Sequence, residues 1–302
     1  MYKEKILITG GLGFVGQNLV KCLSKENKIL VIDIKKVEKD YTSKNIDYKK
    51  IDIRDSNLKN IIKNFNPDIF IHCAAQTSVI ESINDPKTTK SINVNGTKNI
   101  IDSLKELESC FFIFISSGGA IYGNPEYLPV DENHPLNPIS EYGFSKYEGE
   151  KIIERNLLES NIKYAILRPS NIYGPGQTTN NVIPIFFERM SLNKQVVIYG
   201  DGNSSRDYIF IYDLVEIIKT ICEKKISTNA NVSTNKEIKI MEIFTALKEK
   251  LFYQLEPKFE PIRDGEVEKI YLDNKKIKNL TGFNNFTSLE KGIEEIINSQ
   301  NL

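Results

Sequence analysis

The chain has 302 residues, and its 40 basic and 40 acidic side chains give a formal net charge of zero. This length allows about two domains and a substantial buried interior. Because a neutral chain has no basic field to hold a phosphate backbone, a nucleic-acid partner is not expected. The four cysteines are widely separated and there are only two histidines, so neither a metal site nor a disulfide framework is expected.

The sequence shows no sign of a membrane segment. No apolar run approaches the ~18 residues that a membrane-spanning helix needs. The N-terminal segment passes within five residues into an apolar strand. Widely separated cysteines are typical of a reducing compartment. We therefore expect a cytoplasmic protein with no membrane partner.

The first half of the chain alternates short runs of β-forming residues with longer segments of helical period, a pattern typical of a parallel sheet covered by helices. The predicted strands are Ile6–Thr9, Ile29–Asp33, Ile69–His72, Phe111–Ser116 and Tyr164–Arg168. The predicted helices between them are Gly13–Ser24, Leu58–Asn64, Pro86–Leu107 and Glu141–Ser160. The fourth strand is apolar throughout, which predicts burial on both faces at the centre of the sheet.

The second half is less regular, with Pro- and Gly-containing stretches at Asn171–Thr178 and Tyr199–Asn203. Further helices are predicted near Asp213–Glu223, Ile240–Leu251 and Leu289–Asn298. We therefore predict an α/β protein with a Rossmann-type, doubly wound parallel sheet and a smaller C-terminal α/β lobe that binds the substrate. Residues 1–170, to which 207–230 return, would form the dinucleotide-binding domain, and residues 171–206 and 231–302 the smaller lobe.

Three glycines, Gly10, Gly13 and Gly16, follow the first predicted strand and open the first predicted helix. The first allows a tight turn, the second lets the backbone approach a pyrophosphate, and the third permits close helix packing. The helix N-terminus favours the anion. An ordinary glycine turn has the same spacing, so a second feature is needed to separate the two.

That second feature is Asp33, which ends the second predicted strand ~20 residues later, where a carboxylate binds the ribose hydroxyls of adenosine. A carboxylate there repels a 2′-phosphate, so NAD is favoured over NADP. Asp52 and Ile53 are candidates for bordering the adenine, with a solvated loop acid as the alternative for Asp52.

Tyr142 and Lys146 lie near the start of the predicted helix Glu141–Ser160, and their spacing of four places them on one helix face. The lysine ammonium can therefore lie near both the phenol and a bound dinucleotide, where it favours the phenolate. Each unit by which the tyrosine pKa falls requires ~1.4 kcal/mol. The same spacing also occurs by chance, in which case the tyrosine simply lies beside a solvated lysine. Because the pair follows the glycine turn and Asp33 along the chain, we favour an acid–base pair.

Taken together, the motifs resemble those of the extended short-chain dehydrogenases/reductases, in their group of NAD-dependent nucleotide-sugar epimerases and dehydratases. The resemblance covers nearly the whole chain. It rests on the segments Thr9–Gly16, His72–Gln76, Asn93–Thr97, Ser116–Gly123, Tyr142 with Lys146, Arg168–Pro175, and Gly200–Gly202 followed by Arg206–Tyr208. It implies that NAD contacts extend to Leu12, Phe14, Val15, Ala74, Ala75, Gln76, Asn93, Ser116 and Pro169.

In enzymes of this group, the tyrosine takes the proton from the sugar 4-hydroxyl while NAD accepts the hydride, and the lysine holds the nicotinamide ribose. In the epimerases the 4-keto sugar then turns over and is reduced on its other face. A serine or threonine usually bonds the reacting oxygen, and the position that commonly carries it is Gly118 here. We assign this role to Ser117, with Ser116 as the reserve.

Two differences from the motifs of related enzymes narrow the choice of reaction. The 4,6-dehydratases carry an Asp-Glu pair where this chain has Gly119 and Ala120, so dehydration is disfavoured. Keto-reductases of the fold usually need a further Cys or His, and neither Cys110 nor His134 is a convincing candidate. The resemblance thus implies 4-epimerisation of a UDP-hexose, either UDP-glucose/UDP-galactose or an N-acetylamino derivative. The alternatives are a nucleotide-sugar reductase, a UDP-glucuronate decarboxylase or 4-epimerase, and a non-catalytic NAD-binding sensor.

The resemblance further implies a UDP-sugar site in the smaller lobe. Arg206 and Arg263 would grip the diphosphate through bidentate hydrogen bonds. Asn171 would bind a substrate phosphate and Glu266 the nucleotide ribose, while Gly118 would line the sugar beside Ser117 and Tyr142.

Two positions leave the substrate open. Asp264 stands where the family has a proline, which leaves the nucleotide open. Ile270 is of intermediate size at a position that helps to decide whether an N-acetyl group fits, so the sugar stays open as well. The family pairs subunits through two helices that correspond to Pro86–Leu107 and Glu141–Ser160, which implies a homodimer.

Overall fold

The computed structural model describes residues 3–37, 43–178, 181–262 and 267–300. In chain order, the strands in these ranges are β1 (Lys5–Thr9), β2 (Lys28–Asp33), β3 (Ile46–Lys50), β4 (Ile69–His72), β5 (Phe111–Ile115), β6 (Lys163–Pro169), β7 (Asn171–Tyr173), β8 (Val197–Tyr199), β9 (Ser205–Arg206), β10 (Tyr208–Phe210), β11 (Thr228–Val232), β12 (Ile238–Lys239), β13 (Lys258–Glu260) and β14 (Lys269–Ile270).

The helices, also in chain order, are α1 (Phe14–Leu23), α2 (Leu58–Phe65), α3 (Val79–Asn84), α4 (Pro86–Lys90), α5 (Gly96–Leu104), α6 (Gly118–Ile121), α7 (Glu141–Leu157), α8 (Val182–Ser191), α9 (Ile211–Lys224), α10 (Ile240–Lys250), α11 (Lys275–Thr281) and α12 (Leu289–Gln300). A π-helical turn, Ser91–Asn95, joins α4 to α5. The single helix predicted over Pro86–Leu107 is therefore a run of three segments that ends at Leu104. Across the described ranges, no helix combines the length and the apolar character that crossing a membrane requires.

The main sheet has seven parallel strands in the spatial order β11-β6-β5-β4-β1-β2-β3. The chain builds outward from β1 to β3 and then returns to β4 on the other side of β1. This order confirms the predicted Rossmann-type, doubly wound fold. Between β1 and β4 the strand order reverses, and ligands of such sheets bind in the crevice outside the carboxyl ends of the strands at this point.

The central position of the sheet belongs to β4, so the prediction that β5 lies at the centre is wrong by one strand. Both strands are fully buried, because helices cover both faces of the sheet. An apolar sequence indicates burial on both faces but does not give a strand its position in the sheet. β5 is the neighbour of β4 on the side of β6.

Helices cover the two faces of the sheet and bury two separate apolar clusters. Along β1, Ile6 and Ile8 pack into one cluster and Leu7 into the other, because successive side chains of a strand point to opposite faces. The Leu7 cluster includes residues of α2, α5 and α7. The cluster of Ile6 and Ile8 includes α1 and α9 and continues into residues of the smaller sheets.

The second half of the chain contributes to both the main sheet and smaller ones. β11 pairs with β6 at the edge of the main sheet, and α9 packs against α1. The remaining strands form three small sheets, β10-β7, β12-β9-β14 and β13-β8. The division of the chain into an NAD-binding domain and a substrate lobe stays a prediction.

Candidate active site

The turn between β1 and α1 is shaped by glycines. Gly10 has φ of +68°, and a Cβ there would lie 2.6 Å from the backbone nitrogen of Ala74. A Cβ at Gly16 would lie 2.1 Å from the carbonyl oxygen of Gly10. The Gly13 amide donates to that same carbonyl at 3.0 Å and caps α1. Because α1 starts directly at this turn, its first N–H groups offer a site for an anion.

Asp33 lies beside this turn, at the carboxyl end of β2. One carboxylate oxygen accepts a hydrogen bond from the amide of Leu12, and the other from the amide of Lys35, each at 3.0 Å. The carboxylate is thus fixed next to the glycine turn, as a ribose-binding acid requires. The glycine turn and this carboxylate together fit the adenosine and pyrophosphate parts of NAD.

The other predicted cofactor positions are distributed around the same crevice. Leu12, Phe14 and Val15 belong to the turn and the first turn of α1, Ala74 and Ala75 follow β4, and Pro169 ends β6. The Asp52 carboxylate, in contrast, pairs with Arg54 at 2.6 Å, and this hydrogen bond holds the pKa of Asp52 below its usual value. Ile53 is buried against Gly96. A contact of Asp52 and Ile53 with adenine stays a prediction.

Behind the glycine turn lies a buried histidine, His72, whose ring bridges two threonines. Its Nδ1 lies 2.7 Å from the hydroxyl of Thr9, and its Nε2 lies 3.0 Å from the hydroxyl of Thr97. Because Thr97 donates its own proton to the carbonyl of Asn93, it must accept from Nε2–H, which assigns the tautomer. Burial, and secondarily the charge of Lys146, lowers the pKa of His72 to about 3. The sequence motif contains His72 but gives it no role.

The loop after β4 is fixed by Asn93. The Asn93 side-chain oxygen accepts from the amide of Gln76 at 2.8 Å, and its nitrogen donates to the carbonyl of Gln76 at 2.9 Å and to the hydroxyl of Ser145 at 2.8 Å. The loop is thus fastened to α7. The Gln76 side-chain oxygen is buried and has no hydrogen-bond partner in the described part of the chain. It is an acceptor at a predicted cofactor position.

The helix α7 carries Tyr142 and Lys146 into the crevice. Ser140 caps α7 by accepting from the amide of Gly143 at 3.1 Å, and Ser82 of α3 accepts from the amide of Tyr142 at the same distance. The start of the helix is therefore held from two sides. This arrangement fixes the backbone of Tyr142 one turn before Lys146.

The structure brings together Ser117, Tyr142 and Lys146, and their catalytic roles stay a prediction. Burial raises the pKa of Tyr142, whereas its hydrogen bond with Ser117 lowers it. The Lys146 ammonium donates to the carbonyl of Ile115 at 2.8 Å and lies 4.9 Å from the ring centre of Phe114. Burial lowers the pKa of Lys146 to about 8, against opposing effects of Cys73 and Glu150.

Ser116, the reserve candidate, is engaged elsewhere. Its hydroxyl donates to the Glu150 carboxylate at 2.6 Å. Arg168 binds both oxygens of that carboxylate, at 3.0 and 2.7 Å, and also donates to the hydroxyl of Tyr122 at 2.9 Å. Sequence reasoning missed this buried pair. The available signal was that Glu150 lies four residues after Lys146, on the same helix face.

The predicted substrate residues lie toward the small sheets. Asn171 begins β7, and its side chain hydrogen-bonds Tyr208. Together with Gly119, Ser170, Asp207, Ile270 and Leu272, it lines a small cavity. Arg206 donates to the carbonyls of Ser205 at 2.8 Å and Glu268 at 3.3 Å.

Three further residues are predicted to bind the substrate: Gly118, Arg263 and Glu266. Gly118 begins α6, where a Cβ would lie 2.4 Å from the Leu272 side chain and 2.9 Å from the carbonyl of Arg168. Close packing therefore leaves no room for a hydroxyl-bearing side chain at position 118, and the role of Ser117 stays a prediction. Arg263 and Glu266 lie outside the described residues.

The crevice at the switch point of the sheet has a turn shaped for a pyrophosphate, a carboxylate beside it placed for ribose and a tyrosine–lysine pair at the end of β5, and these properties define a dinucleotide-binding enzyme of the Rossmann type. The chain belongs to the NAD dependent epimerase/dehydratase family, whose model matches residues 6–233. The predicted family and the predicted cofactor, NAD, are thereby confirmed.

Similar proteins agree with this assignment. A relative from Methanocaldococcus jannaschii, whose name assigns it provisionally to UDP-glucose 4-epimerase, is 38% identical over 298 residues, with 97% of each chain covered. A crystal structure of UDP-glucose 4-epimerase with UDP-glucose from Thermotoga maritima has a TM-score of 0.92 and 33% identity, with 98% of both chains covered. The UDP-glucose 4-epimerase of Thermus thermophilus in complex with NAD has a TM-score of 0.89, 28% identity and the same coverage.

Proposed function

We propose that the protein catalyses NAD-dependent epimerisation at C4 of a UDP-hexose, either UDP-glucose/UDP-galactose or an N-acetylamino derivative. The observation that carries the proposal is the contact of Ser117 with Tyr142, one helical turn before Lys146. No carboxylate stands at Gly119 or Ala120, where a dehydration would need one. The names of the Thermotoga and Thermus proteins, and the UDP-glucose and NAD bound to them, support the same activity.

In this proposal, Tyr142 accepts the proton of the sugar 4-hydroxyl and later returns it to the same oxygen. Bound NAD supplies a reversible hydride acceptor, so the 4-keto sugar can be reduced on its other face after turning over. Ser117 hydrogen-bonds both the phenol and the reacting oxygen. Because burial alone raises the pKa of Tyr142, the phenolate depends on the positive charge of Lys146 and on the Ser117 hydrogen bond.

The substrate diphosphate is proposed to bind between the two lobes. Asn171 lies beside Gly119 in the small cavity, and Arg206 is held by two carbonyls next to β14. An arginine whose guanidinium is already oriented loses little freedom when it binds a diphosphate. Arg263 and Glu266 are proposed to complete the grip on the nucleotide.

A homodimer is also proposed. The run from α4 to α5 packs along α7 on one side of the sheet, which gives a paired helical face. Phe144 on α7 is 47% exposed and offers an apolar side chain to a second copy of the chain. Light scattering after gel filtration tests the proposal, with Phe144→Glu as the variant expected to weaken the dimer. A monomer for the unmodified protein would contradict it.

The activity itself is tested by proton NMR of the purified protein with catalytic NAD and no added reductant. UDP-glucose, UDP-galactose, their N-acetylamino forms and UDP-glucuronate are incubated separately. A new anomeric signal from the 4-epimer identifies both the reaction and the sugar. Tyr142→Phe is expected to abolish this signal while still binding NAD, and silence with every sugar would contradict the proposal.

A further inference from the structure

The end of β5 contacts α7 at three consecutive residues. The carbonyl of Ile115 accepts from Lys146 at 2.8 Å, the hydroxyl of Ser116 donates to Glu150 at 2.6 Å, and the side chain of Ser117 is close enough to the phenol of Tyr142 to lower its pKa. The three partners on α7 are spaced four residues apart, so they share one helix face. The middle bond joins two residues to which no reaction step has been given.

Glu150 is well suited to fix this middle bond. Its side chain is 1% exposed, and Arg168, 4% exposed, binds both of its carboxylate oxygens. A carboxylate held by a bidentate guanidinium has one orientation. The Ser116 hydroxyl that donates to it is therefore held in place as well.

The buried pair is not explained by stability alone. Well-packed apolar residues in place of a buried ion pair are often neutral or stabilising, because the two charges lose their hydration. Such residues would fill the same space but would not hold the hydroxyl of Ser116. What the pair adds is a fixed anchor between β5, β6 and α7.

We propose that Ser116 and Glu150 are positioning residues, through which Arg168 holds the end of β5 against α7 and so fixes Ser117 relative to Tyr142. This inference rests on the proposed epimerase function, since it concerns the geometry of the same acid–base group. The hydroxyl of Ser116 is engaged by Glu150, and the carboxylate of Glu150 by Arg168. Ser116 and Glu150 act through Ser117, whose position follows directly from that of Ser116 along the chain.

The inference predicts a change in the phenol of Tyr142. If Ser116 is released, the Ser117–Tyr142 bond loosens, and the effect by which it lowers the Tyr142 pKa weakens. The charged and titratable groups around this site are Lys146 and Glu150 on α7, Arg168 on β6 with the Tyr122 phenol, and His72 and Cys73 at the end of β4. Ser116→Ala leaves all of them in place, so a shift would report geometry rather than a lost charge.

The experiment compares Ser116→Ala with the unmodified protein in its NAD-bound form. Carbon-13 NMR of ζ-labelled tyrosine, with the Tyr142 signal assigned from Tyr142→Phe, measures the phenol pKa without any need for turnover. We expect this pKa to rise by about half a unit or more in Ser116→Ala. We expect kcat to fall about ten-fold, with KM for the sugar nucleotide changed less than about two-fold.

Three further variants make the result specific. Ser116→Thr keeps the hydroxyl and should restore the unmodified values. Glu150→Gln keeps an acceptor for Ser116 but weakens the hold of Arg168, so it should shift the Tyr142 pKa in the same direction. Ser103→Ala removes an equally buried serine hydroxyl on α5, one that donates to the carbonyl of Asn99, and should change neither readout.

An unchanged phenol pKa in folded Ser116→Ala and Glu150→Gln would overturn the inference, whatever the activity. A shifted pKa in a protein that turns over none of the UDP-sugars would keep the positioning role and overturn the proposed function instead. The two failures are therefore distinguishable.

Discussion

The ammonium nitrogen of Lys146 lies 6.0 Å from the ring centre of Tyr142, one turn later on the same helix. Lys146 is 5% exposed, and burial lowers its pKa from 10.5 to about 8. At neutral pH the lysine is thus mainly charged inside the protein. This arrangement gives the tyrosine a nearby positive charge at a cost in folding stability.

Replacing Lys146 by methionine is predicted to stabilise the NAD-free protein at pH 7 while abolishing turnover. Between pH 8 and 10.5 the unfolded chain binds more protons than the folded one, so the free energy of unfolding rises with pH in this window. Below pH 8 the full cost, about 3 kcal/mol, is present. The lost hydrogen bond to Ile115 offsets about 1 to 2 kcal/mol of the expected gain.

Urea unfolding at pH 7 and at pH 10 checks this prediction. Lys146→Met should unfold at higher urea concentration than the unmodified protein at pH 7, and the difference should shrink at pH 10. A variant that is less stable at pH 7, or equally stabilised at both values, would show that burial of the charge is not the dominant effect.

His72 is predicted to make the protein sensitive to acid. Its pKa is about 3 in the folded chain and 6.5 without burial, so the unfolded chain binds more protons between these values. The free energy of unfolding therefore falls as the pH drops from about 6.5 toward 3, by about 2 kcal/mol at pH 5. His72→Asn keeps polar atoms near Thr9 but removes this titration.

Chemical unfolding of NAD-free protein at pH 7 and pH 5 measures the effect. His72→Asn is expected to be less stable than the unmodified protein at pH 7, because the shorter asparagine side chain does not reach both Thr9 and Thr97. Its loss of stability between the two pH values should be smaller by about 2 kcal/mol. Equal losses in both proteins would assign the acid sensitivity to other groups.

Alanine substitutions at Gly13 and at Gly16 are predicted to have different effects on stability. A Cβ at Gly16 would lie 2.1 Å from one backbone oxygen and 2.6 Å from a backbone carbon, so Gly16→Ala should destabilise the fold by about 3 kcal/mol. At Gly13 the nearest atom to a new Cβ is 3.2 Å away, and φ is −78°. Gly13→Ala should therefore cost less, about 1 kcal/mol, since alanine is a poorer N-cap than glycine and its Cβ approaches only one backbone oxygen.

The affinity for NAD distinguishes the packing role of Gly16 from the predicted pyrophosphate contact of Gly13. The added methyl group of Gly13→Ala would stand at the start of α1, where the pyrophosphate must approach the backbone, so the Kd for NAD should rise ten-fold or more, about 1.4 kcal/mol. Calorimetric titration with NAD and thermal unfolding of the same samples make the comparison. An unchanged Kd in Gly13→Ala would show that the phosphates do not approach this residue.

The sequence located those parts of the site whose chemistry is local in the chain. The glycine turn, Asp33 and the Tyr142–Lys146 pair are each defined by spacing along one strand or helix, and the structure brings them to one crevice. The bond from Glu150 to Arg168 joins residues 18 positions apart on different elements. Glu150 and Arg168 meet because α7 packs on β6. No local sequence pattern specifies that packing.

The missed strands have a similar explanation. β3 and β11 lie at the two edges of the sheet, and neither has the apolar run of an inner strand. β3 is half exposed with the sequence Ile-Asp-Tyr-Lys-Lys, and β11 is Thr-Asn-Ala-Asn-Val. In β11, Asn231 is buried because its side chain accepts from Tyr122 and donates to the carbonyl of Val130. Polar residues in such strands are buried by partners that only the tertiary structure supplies.

The last prediction concerns Asp207, a buried carboxylate that lines the small cavity and joins the segments that follow β6, β11 and β14. One oxygen accepts from the hydroxyls of Ser170 and Thr234, at 3.0 and 2.8 Å, and from the amide of Thr234 at 3.0 Å. The other accepts from the amides of Asn235 and Leu272, at 2.9 and 3.4 Å. Five donors converge on one acceptor group.

Asp207→Asn is predicted to lose both stability and sugar-nucleotide affinity while keeping NAD affinity. An amide presents two protons to donors that already face inward, so several of these bonds must break, at a cost of about 3 kcal/mol. Asn171, Ile270 and Leu272 line the same cavity and would shift with it. The glycine turn and Asp33 lie at the other end of the crevice and keep their contacts.

Thermal unfolding and separate titrations with NAD and UDP-glucose test this division. Ser205→Ala is a matched control, because Ser205 is as buried as Asp207 but hydrogen-bonds only Glu237 through its hydroxyl among the described residues. It should change UDP-glucose binding by less than about two-fold. Equal losses of NAD and UDP-glucose affinity in Asp207→Asn would mean that the carboxylate supports the whole crevice rather than its substrate end.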